Sequence, residues 1–414
     1  MKYKILFSVL LFTIVNELIL SCTKKESPEI VGSWRAAINT DGGELPFHIE
    51  FLKKADSTSY EAFAINGAER LKLDDPIIKN DSILMSIEIF DAKIAAKIEG
   101  NKMTGQWERY VGAKKFIHST FVAEKGIKER FKSESAEKVA NVNGKWAVNF
   151  VSKDGKDITE SVGLFDQVGN KVTGTFLTTT GDYRYLEGIV DGDSLKLSCF
   201  DGTHLFLFKA KKVGDQLNGQ FWSNIHSLEN WTANLDPKAA LPDVNKLTYL
   251  KPGYSKVEFT FPDTQGKMVN INDKQFEGKV KIVQLMGTWC PNCMDETKYL
   301  APWYDKNKNR GIEIIGLSYE KSTDLTVAGP KIDKMKQKLA MNYPVLLAGL
   351  KGGDEAAKSL PMLNDVLGFP TTIIIDKKGV VRNIHTGFSG PSTGVYYTEW
   401  SEDFNLMIDK LVAE

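Results

Sequence analysis

The stretch that most restricts how this chain can fold is 280–293. Val280-Lys281-Ile282-Val283-Gln284-Leu285-Met286 is a near-continuous apolar run, as a strand buried on both faces of a parallel sheet requires. Gly287-Thr288-Trp289-Cys290-Pro291-Asn292-Cys293 follows at once, and a helical stretch then runs over 294–307. Further strands are predicted at 312–317 and 345–348, with a Lys-rich helix over 331–339 between them and another helix ending near 367. A strand at 371–376 turns through Lys378-Gly379 into 380–382, and a helix at 403–412 closes the chain. Pro302 is expected to kink the helix that contains it. Strand–helix alternation ending in a hairpin and a helix is an α/β pattern with a mixed sheet.

The chemistry of 290–293 follows from that placement. A cysteine at a strand-to-helix junction sits at the positive end of the helix dipole, beside N–H groups with no helical partner. Such positions lower a thiol pKa from about 8.5 to between roughly 3.5 and 7.5. Pro291 suits the first helical position. Cys293 lies one turn on, within reach of a mixed disulfide formed at Cys290. The expected roles are Cys290 as nucleophile and Cys293 as resolving thiol, cycling through a Cys290–Cys293 disulfide.

Strand, Trp-Cys-Pro-x-Cys, helix and a later Phe369-Pro370-Thr371-Thr372 resemble the thioredoxin fold. More narrowly, they resemble the exported TlpA/ResA-type thiol–disulfide oxidoreductases of the AhpC/TSA–redoxin superfamily. The segment Phe259-Thr260-Phe261-Pro262-Asp263-Thr264-Gln265-Gly266-Lys267 is similar to the hairpin that precedes the core in that group and in peroxiredoxins. The resemblance covers 253–414 and implies a protein-disulfide reductase with no cofactor and no metal. It implies that Pro370 is a cis-proline facing the cysteines, with Trp289, Pro291, Phe369 and Thr371 around it and adjacent backbone free to pair with an extended substrate. It also implies that Glu320 lies near the pair, where a buried carboxylate would carry the Cys293 proton. Two positions depart from the family: Gln284 replaces the usual acid six residues before the nucleophile, and Lys298 replaces a helix proline, while Glu296 matches.

The first 22 residues read as an address. Two lysines precede the apolar run 5–15, which is short for a membrane span and right for a secretory signal. Leu18-Ile19-Leu20-Ser21-Cys22 then resembles a bacterial lipobox, with Leu20 larger than usual. Lipidated Cys22 and a polar tether over 23–30 would hold the mature protein on the cell envelope, at the periplasmic face or outer membrane.

Between tether and α/β domain the pattern changes to alternation with frequent turn pairs such as Asp41-Gly42, Gly100-Asn101, Asp154-Gly155 and Gly169-Asn170. Gly32-Ser33-Trp34 recurs as Gly144-Lys145-Trp146, and Asp81-Ser82 as Asp193-Ser194, both 112 residues on. An all-β duplicated module is expected, an antiparallel barrel or sandwich, with repeats at 31–123 and 142–235. Charged linkers at 124–141, with a short helix, and at 236–252 would separate the parts. Trp34 and Trp146 are expected in cores.

Composition closes off other classes. Lys+Arg and Asp+Glu both number 53, so no basic field exists to hold nucleic acid. Four cysteines cannot scaffold a chain of this length. Cys199 is read as an inert buried thiol. A zinc site would need a second ligand pair that the sequence lacks. Two alternatives stay open: a peroxiredoxin-like peroxidase, and a ligand- or client-binding envelope lipoprotein with an accessory redox domain. A peroxidase would carry Pro and Thr or Ser where Val283 and Gly287 stand. A reductase in an oxidising compartment also needs an upstream electron donor, which the sequence does not name.

Overall fold

The structure is a computed structural model that describes residues 28–55, 59–112, 115–134 and 139–414. The expected signal peptide, Cys22 and most of the tether lie outside these residues.

The alternating segments form strands. The first module contains β1 (Gly32–Thr40), β2 (Gly43–Lys53), β3 (Tyr60–Asn66), β4 (Glu69–Lys72), β5 (Ile77–Lys79), β6 (Ser82–Ile87), β7 (Ala92–Glu99), β8 (Lys102–Gly112) and β9 (Lys115–Lys125). They pair in the order β4-β3-β2-β1-β9-β8-β7-β6-β5, a curled sheet without closure. In β7 every second residue is buried, as a half-buried strand demands. The alternation over 83–90 breaks at its end: β6 stops at Ile87 and Glu88–Phe90 form a 3-10 turn.

The second module contains β10 (Gly144–Ser152), β11 (Ile158–Val168), β12 (Lys171–Thr178), β13 (Gly181–Asp182), β14 (Leu186–Asp191), β15 (Ser194–Phe200), β16 (Leu205–Val213), β17 (Gln216–Ser223) and β18 (Ser227–Leu235). Here β11 pairs with β12 and β12 with β14, which closes an eight-stranded barrel. Closure removes the sheet edges. Phe150, Phe176, Phe208, Phe221 and Trp231 fill its interior. In each module the tryptophan of the first strand donates from Nε1 to the carbonyl four residues back, Trp34 to Ile30 at 2.8 Å and Trp146 to Val142 at 2.9 Å.

The modules pack closely. Phe200, Leu205, Leu207 and Trp222 of the barrel belong to the core of the curled sheet, so 45–49 in β2 are buried on both faces rather than one. The described part of 124–141 contains no helix. Arg130 within it is buried, donating to Pro46 O at 3.0 Å, Ser198 O at 3.2 Å and Ile65 O at 2.6 Å.

The α/β domain has a leading hairpin, β19 (Thr260–Pro262) and β20 (Met268–Asn270), and a five-stranded sheet. Its strands β21 (Val280–Met286), β22 (Ile312–Glu320), β23 (Val345–Leu350), β24 (Thr371–Ile375) and β25 (Val381–Thr386) run in the order β23-β22-β21-β24-β25. β21, β22 and β23 are parallel; β24 and β25 are antiparallel to their neighbours. Every residue of β21 and β22 is buried, which accounts for their mainly apolar sequences. The helices are α1 (Pro291–Asn307), α2 (Leu325–Lys338), α3 (Gly353–Ser359) and α4 (Val395–Ala413).

Three helices differ from the sequence expectation. α2 starts earlier, because the Asp324 carboxylate accepts from Thr326 N at 2.8 Å and caps it. α3 stops well short of 367: Pro361 disfavours helix at the residue before it, and the buried Leu360, Met362 and Leu363 pack from turns instead. α4 extends back to Val395, where Trp400 and Phe404 meet Tyr299 of α1.

Candidate active site

Cys290 is the residue that caps α1. Its Sγ accepts from Cys293 N at 3.2 Å, with Pro291 in the first helical turn. The two sulfurs are joined in a disulfide with a Cα–Cα distance of 5.3 Å. In the reduced state the same N–H group and helix end would face the Cys290 thiolate. Cys290 is 5% exposed and Cys293 fully buried, so an incoming disulfide meets Cys290 first.

The remaining expected residues gather around this pair. The Phe369–Pro370 bond is cis, and Phe369 O lies 3.6 Å from Cys290 Sγ. Thr371 is buried and donates to Gly368 O at 2.8 Å. Trp289 donates to Tyr319 O at 2.8 Å and sets its ring edge-on to Phe369. Glu320, at the end of β22, accepts from Thr288 N at 2.8 Å, Thr288 Oγ1 at 2.7 Å and Ser318 Oγ at 2.6 Å. Its carboxylate thus fixes the turn that leads into Cys290.

A second buried acid lies beneath the pair. Glu296, one turn beyond Cys293, accepts from Gln284 Nε2 and Thr372 Oγ1, both at 2.7 Å. Burial pushes its pKa up to about 7, against the pull of those two hydrogen bonds. Gln284 Nε2 also lies 3.5 Å from Cys293 O. The signal was present in the sequence: an acid on the face of α1 that also carries Cys293, spaced to share its environment.

The barrel also reaches the site, and nothing in the sequence announces it. The turn between β12 and β13 lies across the α/β domain. Thr180 packs so close to Gly368 that a Cβ there would come within 2.5 Å of its Cγ2. A Cβ on Gly181 would lie 1.9 Å from Nδ2 of Asn292, one of the two residues between the cysteines, and the positive φ of Gly181 also favours glycine there. The Asp182 carboxylate accepts from Gly390 N and Ser392 Oγ, both at 2.7 Å. Arg184 pairs with Asp295 of α1, with Glu69 of the curled sheet, and with Asp201 at 3.4 Å. Cys199 is free and buried, its thiol pushed well up by burial.

A mixed five-stranded sheet, a helix headed by a disulfide and a cis-proline opposite define a thioredoxin-like domain, similar to those of thiol–disulfide oxidoreductases. Residues 252–384 match the AhpC/TSA family model. The thiol-disulfide oxidoreductase ResA of Bacillus thuringiensis is 33% identical over 129 residues, which are 31% of this chain and 66% of that protein. The thiol:disulfide interchange protein DsbE of Vibrio cholerae is 27% identical over 185 residues, 44% of this chain and 88% of that one. A solved thioredoxin domain of a thiol-disulfide oxidoreductase from Bacteroides vulgatus is 23% identical, covers 37% of this chain and 98% of its own, and gives a TM-score of 0.28.

Proposed function

We propose that the chain is a disulfide reductase of the bacterial cell envelope that works by dithiol exchange. The observation that carries this is the placement of the sulfurs: Cys290 at the helix head on the Cys293 N–H, with Cys293 buried behind it. The Cys290 thiolate attacks a substrate disulfide and forms a mixed disulfide. Cys293 then attacks Cys290 and releases the reduced product. Before it attacks, Cys293 must lose a proton. Glu296, joined to that turn through Gln284 and held near pH 7, is placed to receive it. Glu320 acts by holding Thr288 and so orienting the nucleophile's loop.

A lipidated Cys22, which the lipobox-like residues 18–22 support, would hold the protein on the envelope, and an upstream donor would return electrons to the oxidised pair. Disulfides of envelope proteins are the substrates that the family resemblance implies. The barrel adds a condition: an extended chain can pair beside Pro370 only once the turn at 179–182 has moved off Gly368 and Asn292.

The reduced chain should convert one equivalent of bis(2-hydroxyethyl) disulfide to thiol. Cys290→Ser should abolish this, and Cys293→Ser should stop at a mixed disulfide on Cys290. Full turnover by Cys290→Ser would refute the reading. A thiol peroxidase is the second reading, favoured by the AhpC/TSA match. Hydrogen peroxide consumption by the reduced protein, faster than by free dithiothreitol, would select it.

A further inference from the structure

The residues on either side of Cys290, Trp289 and Pro291, also line a cleft of about 510 Å³ that the exchange reaction leaves without a role. That volume lies in the range of small-molecule sites. All three parts of the protein wall it: Phe90 and Asp91 from the curled sheet, Thr203 and His204 from the barrel, Trp289 and Lys351 from the α/β domain.

Its charge is lopsided. Arg109, Lys321, Lys331 and Lys351 line it against only two carboxylates, Asp91 and Glu320. Glu320 is already occupied by Thr288 and Ser318. Asp91 pairs with Lys331 at 2.6 Å and with Lys321 at 3.6 Å. Arg109 donates to the carbonyl and hydroxyl of Thr203. Lys351 holds its ammonium 4.5 Å over the Trp289 ring. Among the described residues neither of these last two has a carboxylate partner. The crowding acts on Lys321, whose pKa is lowered by burial first and then by Lys331, Arg109 and Lys351, against the pull of Asp91.

The opposite approach is covered, since the turn at 179–182 lies on Gly368 and Asn292. With that strip covered, the cleft lined by Trp289 and Pro291, the sequence neighbours of Cys290, offers a separate approach. We propose that it binds a small disulfide bearing carboxylates, whose negative charge rests among Lys351, Lys321 and Arg109 while one sulfur faces Cys290. The proposal rests on Cys290 being the nucleophile. The Cys290 thiolate bonds to one substrate sulfur as the substrate S–S bond breaks, and the first thiol leaves with a proton. Cys293 then bonds to Cys290 and the second thiol leaves. Two electrons and two protons pass from the dithiol to the substrate, giving two thiols and the Cys290–Cys293 disulfide.

Three disulfides of similar size test it: dithiodiglycolate (anionic), bis(2-hydroxyethyl) disulfide (neutral) and cystamine (cationic). Each is mixed with the reduced full chain, and its rate is divided by its rate with dithiothreitol. Dithiodiglycolate should then exceed cystamine by about ten-fold or more, the lower end of electrostatic steering, and salt should erode the advantage. Lys351 is exposed, so Lys351→Glu should fold and reverse the order, with Lys351→Gln between. Equal normalised rates, or a preference that Lys351→Glu leaves unchanged, would overturn the proposal. So would an acidic preference shown by peptide disulfides alone. Failure with the neutral disulfide would instead remove the nucleophile assignment itself.

Discussion

Glu296 gives this protein a pH response that reaches neutrality. Its pKa stands at about 7 in the folded state because burial disfavours the carboxylate, against 4.5 for an exposed glutamate. Between these values the native chain holds a proton that the unfolded chain has lost, so stability falls as pH rises from 4.5 to 7 and is level above. The span corresponds to about 3 kcal/mol. Glu296→Gln keeps the shape and removes the titration. Urea melts of this variant should therefore show a flatter stability profile across that window. Resolution of the mixed disulfide should also slow and lose its inflection near neutrality, because the amide cannot take the Cys293 proton. An unchanged inflection would direct the proton elsewhere, with Glu320 as the next candidate.

The turn joining β12 to β13 lies against Gly368 and Asn292 beside the cysteine pair, and the Asp182 carboxylate anchors it. That side chain is buried, and burial raises its pKa while Ser392 and Gly390 lower it. Asp182→Ala would leave the Gly390 N–H without its acceptor, at a cost of about 1–3 kcal/mol. The freed turn should let the reduced variant be alkylated at Cys290 several-fold faster and reduce insulin faster, with little change toward small disulfides. No local pattern marks this element as a cover. The strand run, the helix head and the cis-proline sequence are local, so residues 280–293 and 369–372 could be read directly. Contact between Gly181 and Asn292 joins residues 111 positions apart in unlike folds, and only tertiary packing creates it. The early stop of α3 and the 3-10 turn at Glu88–Phe90 escaped for a related reason. Buried apolar residues there look periodic, but Pro361 in one case ends the pattern, and in the other the left-handed Asp91, whose N–H donates to Glu88 O, closes the turn.

Arg184 joins the three parts of the molecule at one point. It meets Glu69 of the curled sheet, Asp201 of the barrel and Asp295 of α1. Asp295 also pairs with Lys298 at 2.8 Å, and Asp201 with His204 at 2.9 Å. Burial pushes the Glu69 carboxyl up, and Asp295 and Asp201 add to that against Arg184. A second contact runs along α2, where Lys334 meets Glu88 and Lys338 meets Asp74 at 2.8 Å. The two contacts differ in weight, since the lysine pairs are partly exposed while the Arg184 side chain is 5% exposed. Exposed pairs contribute about 0–1 kcal/mol and weaken in salt, whereas removing one partner of a buried cluster costs about 3–5 kcal/mol through the charges left behind. Arg184→Met should therefore lower the melting temperature, speed proteolysis within 236–252 and expose the Cys290–Cys293 disulfide to reduction by a bulky phosphine. Lys334→Gln with Lys338→Gln should change each of these little, and high salt should leave the wild-type docking intact. If the lysine variant separated the parts and the arginine variant did not, the docking would be a surface-charge effect, and the covered dithiol would open with ionic strength alone.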